Sequence, residues 1–432
     1  MKIARLSPPS LPPHITLEVP GSKSYTNRAL ITAALASGVS TITSASLSTD
    51  SDAMIKALRL LGVSIEEQQT QAGTTLVVDG CGGAFTPYKG EIHVGPAGTT
   101  MRFLTALCAG ISGIDVILKG SERMHARPIR ELVTALQALG AEIDYIGTEG
   151  CPPLHIHSRS HLKGGSIAVD GSVSSQFISA LLLTAPLNSA KLCIEIRGEQ
   201  ISKPYIDMTI QSIAEFGVTI SNDKYQRYTY APGQQFKAQA FQVEGDASGA
   251  SYLWGLAAIS GGQITVRNVN PRSAQGDIHF PEILARMGCS VSQESRSITV
   301  RGAKKLSAID IDMSSMPDTA QTLAVIAACA EGTTTIRGLS TLRLKETDRI
   351  EALHTELEKL GISSETGPDS LIVHGGAPSG AMIKTYDDHR MAMSFAMLAS
   401  KFSGIEIEEP QVVDKSFPNF WDMLIKAGIQ VD

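Results

Sequence analysis

A short phrase recurs six times along this chain of 432 residues. Each copy is an amphipathic stretch that ends in an apolar residue and a glycine, and a strand-like run follows the glycine. The six glycines, spaced 67 to 78 residues apart, are Gly62, Gly140, Gly217, Gly288, Gly361 and Gly428. A sustained period of this kind indicates that one supersecondary unit is repeated along the whole chain.

A second phrase recurs out of phase with the first. It is an apolar helix with a polar N-terminus, and a strand follows the helix. Ser, Thr and Asp at such positions satisfy the free N–H groups of a helix's first turn. The six predicted starts are Ser22-Lys23-Ser24, Gly98-Thr99-Thr100, Ser174-Ser175-Gln176, Asp246-Ala247-Ser248, Pro317-Asp318-Thr319 and Asp387-Asp388-His389. Each unit therefore reads helix, strand, helix, glycine, strand, often with one further strand, which predicts an α/β protein of six α+β units.

The six units divide naturally into three and three, with a break near Val243-Glu244-Gly245. The N-terminal strand Ile15–Val19 is predicted to pair with a unit it does not precede, because the last unit lacks a closing strand. The chain would then cross between two domains near Gly21 and near Gly245, which is typical of a hinge. The expected domains are residues 1–20 plus 245–432, and residues 21–244.

Composition excludes several classes of function. The net charge of −6 gives no general attraction to nucleic acid or to an acidic membrane, and no apolar window is long enough to cross a bilayer. The first fourteen residues carry prolines where a signal peptide needs an apolar core. The six cysteines show no C-x-x-C spacing, so neither a zinc ribbon nor a redox pair is indicated. We expect a cytoplasmic protein without nucleic-acid or membrane partners.

Cations gather at the predicted helix starts although the chain as a whole is acidic. Ser24 and Arg28, four residues apart on one helix face, fit either a polar cap with solvated charges or an anion site at a helix N-terminus. Lys345 and Arg349 are likewise predicted to share one helix face, either solvated or with an anion bound between them. Together these clusters predict one focused positive cleft.

Two acidic positions lie among these cations. The carboxylates of Asp318 and Glu346 are costly in a site that only binds anions, so they indicate proton transfer or the binding of substrate hydroxyls. The run Asp387-Asp388-His389-Arg390 reads as a solvated helix cap. A metal site is the alternative there, but no second cluster supplies the missing ligands, and no metal is predicted.

Taken together, the motifs of the chain resemble the EPSP synthase family of 3-phosphoshikimate 1-carboxyvinyltransferases, in order and at matching spacing. Any one of these motifs is weak alone, but their joint occurrence is specific. They are Gly21-Ser22-Lys23-Ser24, Gly98-Thr99-Thr100-Met101-Arg102, Arg127-Pro128-Ile129, Gly171-Ser172-Val173-Ser174-Ser175-Gln176-Phe177, Ser202-Lys203-Pro204-Tyr205-Ile206-Asp207, Lys345-Glu346-Thr347-Asp348-Arg349 and Asp388-His389-Arg390-Met391-Ala392-Met393.

The resemblance implies two similar domains, each of three βαβαββ units, that close on the substrates by a hinge. It implies transfer of the enolpyruvyl group of phosphoenolpyruvate to the 5-hydroxyl of shikimate 3-phosphate, with release of phosphate, in the pathway to chorismate and aromatic amino acids. It implies no cofactor and no metal. We further expect a monomer whose partners are these two small molecules.

The resemblance also assigns roles residue by residue. The catalytic groups are expected to be Asp318, Glu346, Lys23 and His389. The groups expected to bind phosphoenolpyruvate are Lys23, Gly98, Arg127, Gln176, Arg349, Arg390 and Lys415. Those expected to bind shikimate 3-phosphate are Lys23, Ser24, Arg28, Ser174, Ser175, Gln176, Ser202, Tyr205, Asp318, Thr341 and Lys345.

Three positions depart from the family pattern. Pro96 stands where Asn is usual, Phe103 where Pro is usual, and Thr341 where Asn is usual. The first two lie beside the expected phosphoenolpyruvate site, so sensitivity to the inhibitor glyphosate does not follow from the resemblance.

Three alternative functions stay open at this stage. The sister enzyme that transfers the same group to UDP-N-acetylglucosamine typically has a reactive Cys before its Arg-Pro, and the loop from Lys119 to Pro128 has none. A small-molecule kinase would need magnesium ligands and a nucleotide loop, and neither is evident. A repeat scaffold without catalytic activity would not explain why unlike units carry different charged groups at the same structural position.

Overall fold

The computed structural model describes residues 2–70 and 73–432. It divides into two compact units. One is the continuous segment Gly21–Val243, and the other combines the stretch up to Pro20 with Glu244–Asp432. Among the described residues, no helix combines the length and hydrophobicity that crossing a membrane requires.

Two strands precede the first repeat, and three repeats with one trailing strand make up the unit Gly21–Val243. The leading strands are β1 (Ile3–Ser7) and β2 (His14–Glu18). The first repeat comprises α1 (Lys23–Leu35), β3 (Ser37–Thr43), α2 (Thr49–Leu60), β4 (Ser64–Thr70) and β5 (Gly73–Cys81). The second comprises β6 (Tyr88–His93), α3 (Gly98–Gly110), β7 (Ile114–Lys119), α4 (Arg130–Ala138), β8 (Glu142–Tyr145) and β9 (Leu154–Ser158). The third comprises β10 (Gly165–Asp170), α5 (Ser175–Leu183), β11 (Leu192–Arg197), α6 (Lys203–Glu215), β12 (Ile220–Asp223) and β13 (Arg227–Tyr230), and β14 (Ala240–Gln242) follows it.

The same design continues in the other unit. The fourth repeat comprises α7 (Ala247–Ser260), β15 (Gln263–Arg267), α8 (Phe280–Arg286), β16 (Ser290–Glu294) and β17 (Ser297–Arg301), and β18 (Leu306–Ser307) follows it. The fifth comprises β19 (Asp310–Asp312), α9 (Ala320–Ala327), β20 (Ala330–Glu331), β21 (Thr333–Arg337), α10 (Arg349–Lys359), β22 (Ser364–Thr366) and β23 (Leu371–His374). The sixth comprises β24 (Ala381–Ile383), α11 (His389–Ala396), β25 (Ile405–Glu408), α12 (Phe420–Lys426) and β26 (Gln430–Val431). Short 3-10 helices span Met124–Ala126, Ala185–Leu187, Gly276–His279, Pro317–Thr319, Ser340–Leu344, Met397–Ser400 and Pro410–Lys415.

Six four-stranded sheets share one topology. In each, an edge strand pairs in parallel with the next strand, which then pairs antiparallel with the third, and the third pairs antiparallel with the fourth. The parallel step needs a helical crossover, whereas the antiparallel step needs only a short connection. The six orders are β14-β3-β5-β4, β6-β7-β9-β8, β10-β11-β13-β12, β16-β17-β15-β2, β19-β21-β23-β22 and β24-β25-β1-β26. The predicted six βαβαββ units are confirmed.

Three of these sheets are completed by strands from distant parts of the chain. β14 supplies the parallel edge strand of the first repeat's sheet, and β2 supplies that of the fourth repeat's sheet. The prediction that the strand near Ile15–Val19 pairs with a unit it does not precede is therefore confirmed. The stated reason was wrong, because the last repeat's sheet is closed by β1, which sequence reasoning did not identify.

The two helices of each repeat differ in burial. The first helices, such as α7 and α9, are buried on almost every side, and α7 is built largely from Ala, Gly and Ser with a central Trp254. The second helices, such as α4 and α10, bury one face and expose the other. An all-round apolar helix belongs inside a core and an amphipathic one at its surface. Each unit therefore has three central helices and three outer ones.

The six repeated glycines end the outer helices in the same way. All adopt positive φ, from +77° at Gly361 to +102° at Gly288. In the first repeat, the N–H of Val63 donates to the carbonyl of Leu58 and the N–H of Gly62 donates to that of Arg59. This is a Schellman-type termination, in which glycine adopts the left-handed conformation at little cost. The repeated phrase thus encodes the turn from the outer helix into the next strand.

Candidate active site

Within the unit Gly21–Val243, the first candidate group lies at the start of α1. Ser22 caps this helix by accepting from the N–H of Tyr25. The half-buried ammonium of Lys23 is 2.9 Å from Oδ2 of Asp50, which is itself buried near the start of α2. Asp50 was not identified from the sequence, because a first-turn aspartate on an amphipathic helix looks like an ordinary helix-stabilising residue.

Arg28 points into the protein. Its guanidinium donates to Oγ1 of Thr209 at 2.8 Å, to the carbonyl of Ser24 at 2.8 Å and to the carbonyl of Tyr205 at 2.9 Å. It also lies 5.6 Å from the ring centroid of Phe103, one of the three departures from the family pattern. Burial lowers the pKa of this guanidinium to about 10. All of these partners are neutral, so Arg28 is a buried cation linking α1 to α6.

Gly98 and Arg127 form the second group. Gly98 is the first residue of α3, and the buried guanidinium of Arg127 lies against its α-carbon. Arg102, one turn along α3, donates to the carbonyls of Gly98 at 3.2 Å and of Pro128 at 2.8 Å. These contacts hold the Arg127-Pro128 segment at the N-terminus of a buried helix, where free N–H groups and the helix dipole favour an anion.

The third group occupies the starts of α5 and α6. Ser174 caps α5 through the N–H of Gln176, and the side-chain amide of Gln176 donates to Oγ1 of Thr99 on α3 at 3.2 Å. Ser175 is buried. Ser202 starts α6 in the left-handed conformation, with φ of +50°. A non-glycine residue adopts this conformation only where its surroundings impose it.

A chain of contacts joins these groups. Arg28 connects α1 to Tyr205, Gln176 connects α5 to α3, and Oγ1 of Thr100 on α3 donates to the carbonyl of Asp50 at 2.9 Å. The structure therefore brings together the residues predicted in this unit: Lys23, Ser24, Arg28, Gly98, Arg127, Ser174, Ser175, Gln176, Ser202 and Tyr205.

The other unit contains a compact network of ion pairs centred on Arg349. This side chain is only 2% exposed and contacts three carboxylates. Its Nε donates to Oδ2 of Asp388 at 2.7 Å, and its Nη2 donates to Oε2 of Glu346 at 2.9 Å. Nη1 lies 3.5 Å from Oδ1 of Asp318. Burial alone would lower the pKa of Arg349, but the three carboxylates raise it above its ordinary value.

Two further cations complete the network. Nη2 of Arg390 donates to Oδ2 of Asp318 at 2.8 Å, and its Nη1 donates to the hydroxyl of Tyr252 at 3.1 Å. Nζ of the buried Lys415 lies 3.3 Å from Oε1 of Glu346. Asp318 and Glu346 therefore each bridge two cations, while retaining 21% and 13% exposed side chains. Both carboxylates remain accessible at the edge of a buried network.

His389 begins α11 beside this network. Its ring is buried, and Nδ1 lies 3.5 Å from Oδ1 of Asp388. Asp388 is fully buried and caps α11 by accepting from the N–H of Arg390 at 2.9 Å. The solvated cap expected for this run is therefore wrong: Asp388 caps the helix and pairs with Arg349 inside the protein.

The predicted helix face shared by Lys345 and Arg349 is also wrong. α10 begins only at Arg349, with Asp348 as its N-cap, and Lys345 has extended backbone before it. Thr341 lies on the 3-10 helix Ser340–Leu344. Both Lys345 and Thr341 are half-buried. The misassignment arose because the Lys-Glu-Thr-Asp-Arg run has helix-compatible spacing, whereas the capping aspartate sets where the helix starts.

Two more buried carboxyls of this unit were not predicted. Asp277 is almost fully buried and accepts a hydrogen bond from Oγ of Ser248 at the start of α7. Burial and the nearby Asp318 raise its pKa to about 7. Glu356, also fully buried, accepts from the hydroxyl of Tyr386 at 2.7 Å. Sequence reasoning missed both carboxyls because each is bonded by a distant hydroxyl: Ser248 is 29 residues from Asp277, and Tyr386 is 30 residues from Glu356.

Comparison with known proteins identifies the family. The family model described as EPSP synthase (3-phosphoshikimate 1-carboxyvinyltransferase) matches residues 14–424. The chain belongs to the EPSP synthase family. A 3-phosphoshikimate 1-carboxyvinyltransferase of Laribacter hongkongensis is 44% identical over 412 residues, covering 94% of this chain and 95% of that protein. The enzyme of the same name from Burkholderia cenocepacia is 45% identical over 417 residues, covering 94% and 95%.

Solved structures agree on the fold. An EPSP synthase structure from Acinetobacter baumannii superimposes with a TM-score of 0.84 at 27% sequence identity, covering 100% of both chains. The predicted resemblance and the predicted two-part enolpyruvyl-transferase fold of this family are therefore confirmed.

Proposed function

We propose that the chain transfers the enolpyruvyl group of phosphoenolpyruvate to the 5-hydroxyl of shikimate 3-phosphate and releases phosphate. Membership of the EPSP synthase family over residues 14–424 carries this proposal. Both substrates are multiply anionic, and both units present buried cations next to helix starts, as such substrates require. The sister activity on UDP-N-acetylglucosamine is not favoured, since the matching model and the named relatives carry the shikimate name.

In the proposed reaction, the oxygen of the 5-hydroxyl forms a bond to C2 of phosphoenolpyruvate. The hydroxyl loses its proton to a base, and C3 takes up a proton to become a methyl group. The resulting tetrahedral adduct then loses a proton from that methyl group and expels phosphate, which restores the carbon–carbon double bond. No net oxidation occurs: the proton lost by the hydroxyl is balanced by the one added to C3, and the proton lost from the methyl group leaves with phosphate as hydrogen phosphate.

We assign the proton transfers to Asp318 and Glu346, with assistance from Lys23 and His389. The carboxylates are suited to this because each is partly accessible and flanked by two cations. The three carboxylates Asp318, Glu346 and Asp388 balance Arg349, Arg390 and Lys415, so these six side chains carry no net formal charge before an anionic substrate binds.

Binding of phosphoenolpyruvate is assigned to Lys23, Gly98, Arg127, Gln176, Arg349, Arg390 and Lys415. Arg349 is bound by carboxylates, so it positions Glu346 and Asp318 as well as attracting the substrate.

Binding of shikimate 3-phosphate is assigned to Lys23, Ser24, Arg28, Ser174, Ser175, Gln176, Ser202, Tyr205, Asp318, Thr341 and Lys345. Closure by a hinge near Gly21 and Gly245 is proposed with these assignments, and a smaller radius of gyration on substrate binding would support it.

The test is phosphate release from phosphoenolpyruvate by the purified chain. We expect release only when shikimate 3-phosphate is added, and we expect it to persist after removal of metal ions by a chelator. Replacing shikimate 3-phosphate with UDP-N-acetylglucosamine serves as the matched control. Activity with the nucleotide sugar and none with shikimate 3-phosphate would overturn the proposal.

A further inference from the structure

The second sheet, β6-β7-β9-β8, carries three potential metal ligands on one face. Asp115 on β7 lies directly opposite His157 on β9, and His155 is two residues before His157 on the same strand. Side chains two residues apart on a strand point to the same side. The alternate residues of β7 and β9 are buried, so these three project from the opposite, outer face, where about a third of each side chain is exposed.

The ligand atoms already converge. Oδ1 of Asp115 lies 2.8 Å from Nε2 of His155 and 3.4 Å from Nδ1 of His157, and all three atoms lie within 4.8 Å of one another. Zinc binds imidazole nitrogen at about 2.0–2.1 Å and carboxylate oxygen at about 2.0–2.2 Å, so tetrahedral ligand atoms stand roughly 3.3–3.5 Å apart. The 3.4 Å separation already matches this spacing, and the 2.8 Å separation is about 0.5 Å shorter than it.

The contact that Asp115 makes with Lys89 leaves the Oδ1 atom of Asp115 facing the two histidines. The ammonium of Lys89 bonds the other carboxylate oxygen, Oδ2 of Asp115, at 2.9 Å. Oδ1 therefore faces both imidazoles, whose ring centroids are 3.7 Å apart. A hydrogen bond of ordinary length joins Oδ1 to only one of the two rings, whereas one divalent cation can bind all three ligand atoms.

The neighbouring strand adds negative charge. In the register of β8 and β9, Glu142 lies opposite His157 and Asp144 lies opposite His155. Glu142 lies 3.6 Å from Arg159, and both Glu142 and Asp144 are exposed. Two carboxylates beside a pair of imidazoles lower the cost of bringing a dication to this face.

We propose that Asp115, His155 and His157 form a three-ligand site for a divalent late transition metal ion, with Zn²⁺ as the ion that the donor set fits best. Two imidazole nitrogens and one carboxylate oxygen suit Zn²⁺ rather than the all-oxygen preferences of Mg²⁺ or Ca²⁺. Water would complete the coordination. On binding, the proton between His155 and Asp115 moves to the other ring nitrogen or to solvent, which frees the lone pair of Nε2 for the metal.

The site is separate from the groups assigned to the substrates. Most of the latter lie at helix starts or in the connections beside them, whereas this cluster lies on the outer face of the sheet, opposite its buried residues. The sequence did not indicate this cluster, because residues 115 and 155 come together only through the pairing of β7 with β9. The expectation that the chain holds no metal came from the Asp387–Arg390 run and from the family resemblance, and neither concerned this face.

The experiment is titration of the full chain with Zn²⁺ after treatment with a chelator, followed by calorimetry and by equilibrium dialysis. We expect the wild type to bind Zn²⁺ at one saturable site formed by Asp115, His155 and His157. His155→Ala, His157→Ala and Asp115→Asn should each weaken it at least about tenfold, the scale on which supporting groups of metal sites already act. His374→Ala is the matched control, because His374 bonds the carboxylate of Glu365 at 3.0 Å on another strand. It should leave the affinity unchanged.

Two further measurements separate a metal site from a hydrogen-bonded cluster. Lys89→Ala removes a cation from Asp115 and should tighten Zn²⁺ binding. Co²⁺ bound in place of Zn²⁺ should show visible absorption in the wild type that His155→Ala abolishes, with circular dichroism confirming that each variant is folded. Absence of saturable Zn²⁺ binding, or equal affinity in the wild type and all three ligand variants, would overturn the proposal.

Discussion

The guanidinium of Arg127 lies so close to the α-carbon of Gly98 that a methyl group there would come within 2.7 Å of Nη1. No side chain tolerates such an approach, so any substitution must push the guanidinium away. The glycine is required here by a neighbour's position, since its own φ is not in the left-handed region.

The first prediction follows from this contact. Gly98→Ala should displace Arg127 and raise the Michaelis constant for phosphoenolpyruvate about tenfold, equivalent to about 1.4 kcal/mol, with a smaller effect on turnover. Steady-state kinetics with varied phosphoenolpyruvate provide the measurement. Gly147→Ala is the control, because a methyl group there meets only Cδ of Pro153 at 3.5 Å. An unchanged constant in Gly98→Ala would contradict the assignment of Arg127.

The second prediction concerns the two bridging carboxylates. Asp318→Asn and Glu346→Gln keep the side-chain shape but remove the base, so turnover should fall about 10²–10⁴-fold, as expected for lost general acid–base catalysis. Shikimate 3-phosphate should still bind, which calorimetry can measure. Turnover equal to wild type in both variants would show that neither residue transfers a proton.

The third prediction compares two helix-capping aspartates. Asp388 caps α11 and pairs with the buried Arg349, whereas Asp348 caps α10 and pairs with the half-exposed Arg343. Asn also caps helices well, so substitution isolates the ion pair. Asp388→Asn should cost up to about 3–5 kcal/mol of unfolding free energy, the range for breaking a buried ion pair, because it removes the fully buried member of the three carboxylates that neutralise Arg349. Asp348→Asn should cost at most about 1 kcal/mol.

Urea denaturation of both variants measures these differences. Similar losses in the two would mean that Arg349 is stabilised by its other carboxylates, Glu346 and Asp318, and does not depend on Asp388.

The fourth prediction is a pH dependence. Burial and the charge of Asp318 raise the pKa of Asp277 to about 7, against the opposing effects of Arg390 and Ser248, and Asp246 adds a further negative charge nearby. The unfolded chain has a lower pKa for this carboxyl, near 4. The stability that protonated Asp277 provides is therefore complete below about pH 4 and is lost as the pH rises to about 7.

Asparagine imitates the protonated carboxyl and does not titrate. The unfolding free energy of Asp277→Asn minus that of the wild type should therefore increase between about pH 4 and pH 7 and then level off. Urea titrations at pH 5, 6, 7 and 8 test this. A difference that stays constant across that range would contradict a raised pKa.

Local patterns allowed most of the secondary structure to be predicted. Ser22, Ser174 and Asp246 cap helices as expected, because capping depends on a few neighbouring residues. The repeat glycines end the outer helices for the same reason. The succession of helices and strands along the chain followed from the repetition of one unit.

What could not be predicted depends on contacts between distant residues. β1 is only five residues long, and its partners β25 and β26 lie at the far end of the chain, so its role in the last sheet could not be predicted locally. Asp277 and Glu356 look like ordinary surface acids until the fold buries them. Lys345 was placed on a helix because spacing alone does not show where a helix begins. The candidate site was recognisable only because several motifs occurred together.

The pairing of β2 with β15 has a consequence for synthesis on the ribosome. His14 on β2 can pair only after Gln263, 249 residues later, has been synthesised. Arg5 on β1 lies opposite Glu406, at a separation of 401 residues. Translation proceeds at about 5–20 residues per second, so the leading strands remain unpaired for tens of seconds. Segment 21–243 contains all the strands of its three sheets, so it can fold during that time. The first residues to be made are therefore among the last to be incorporated into the fold.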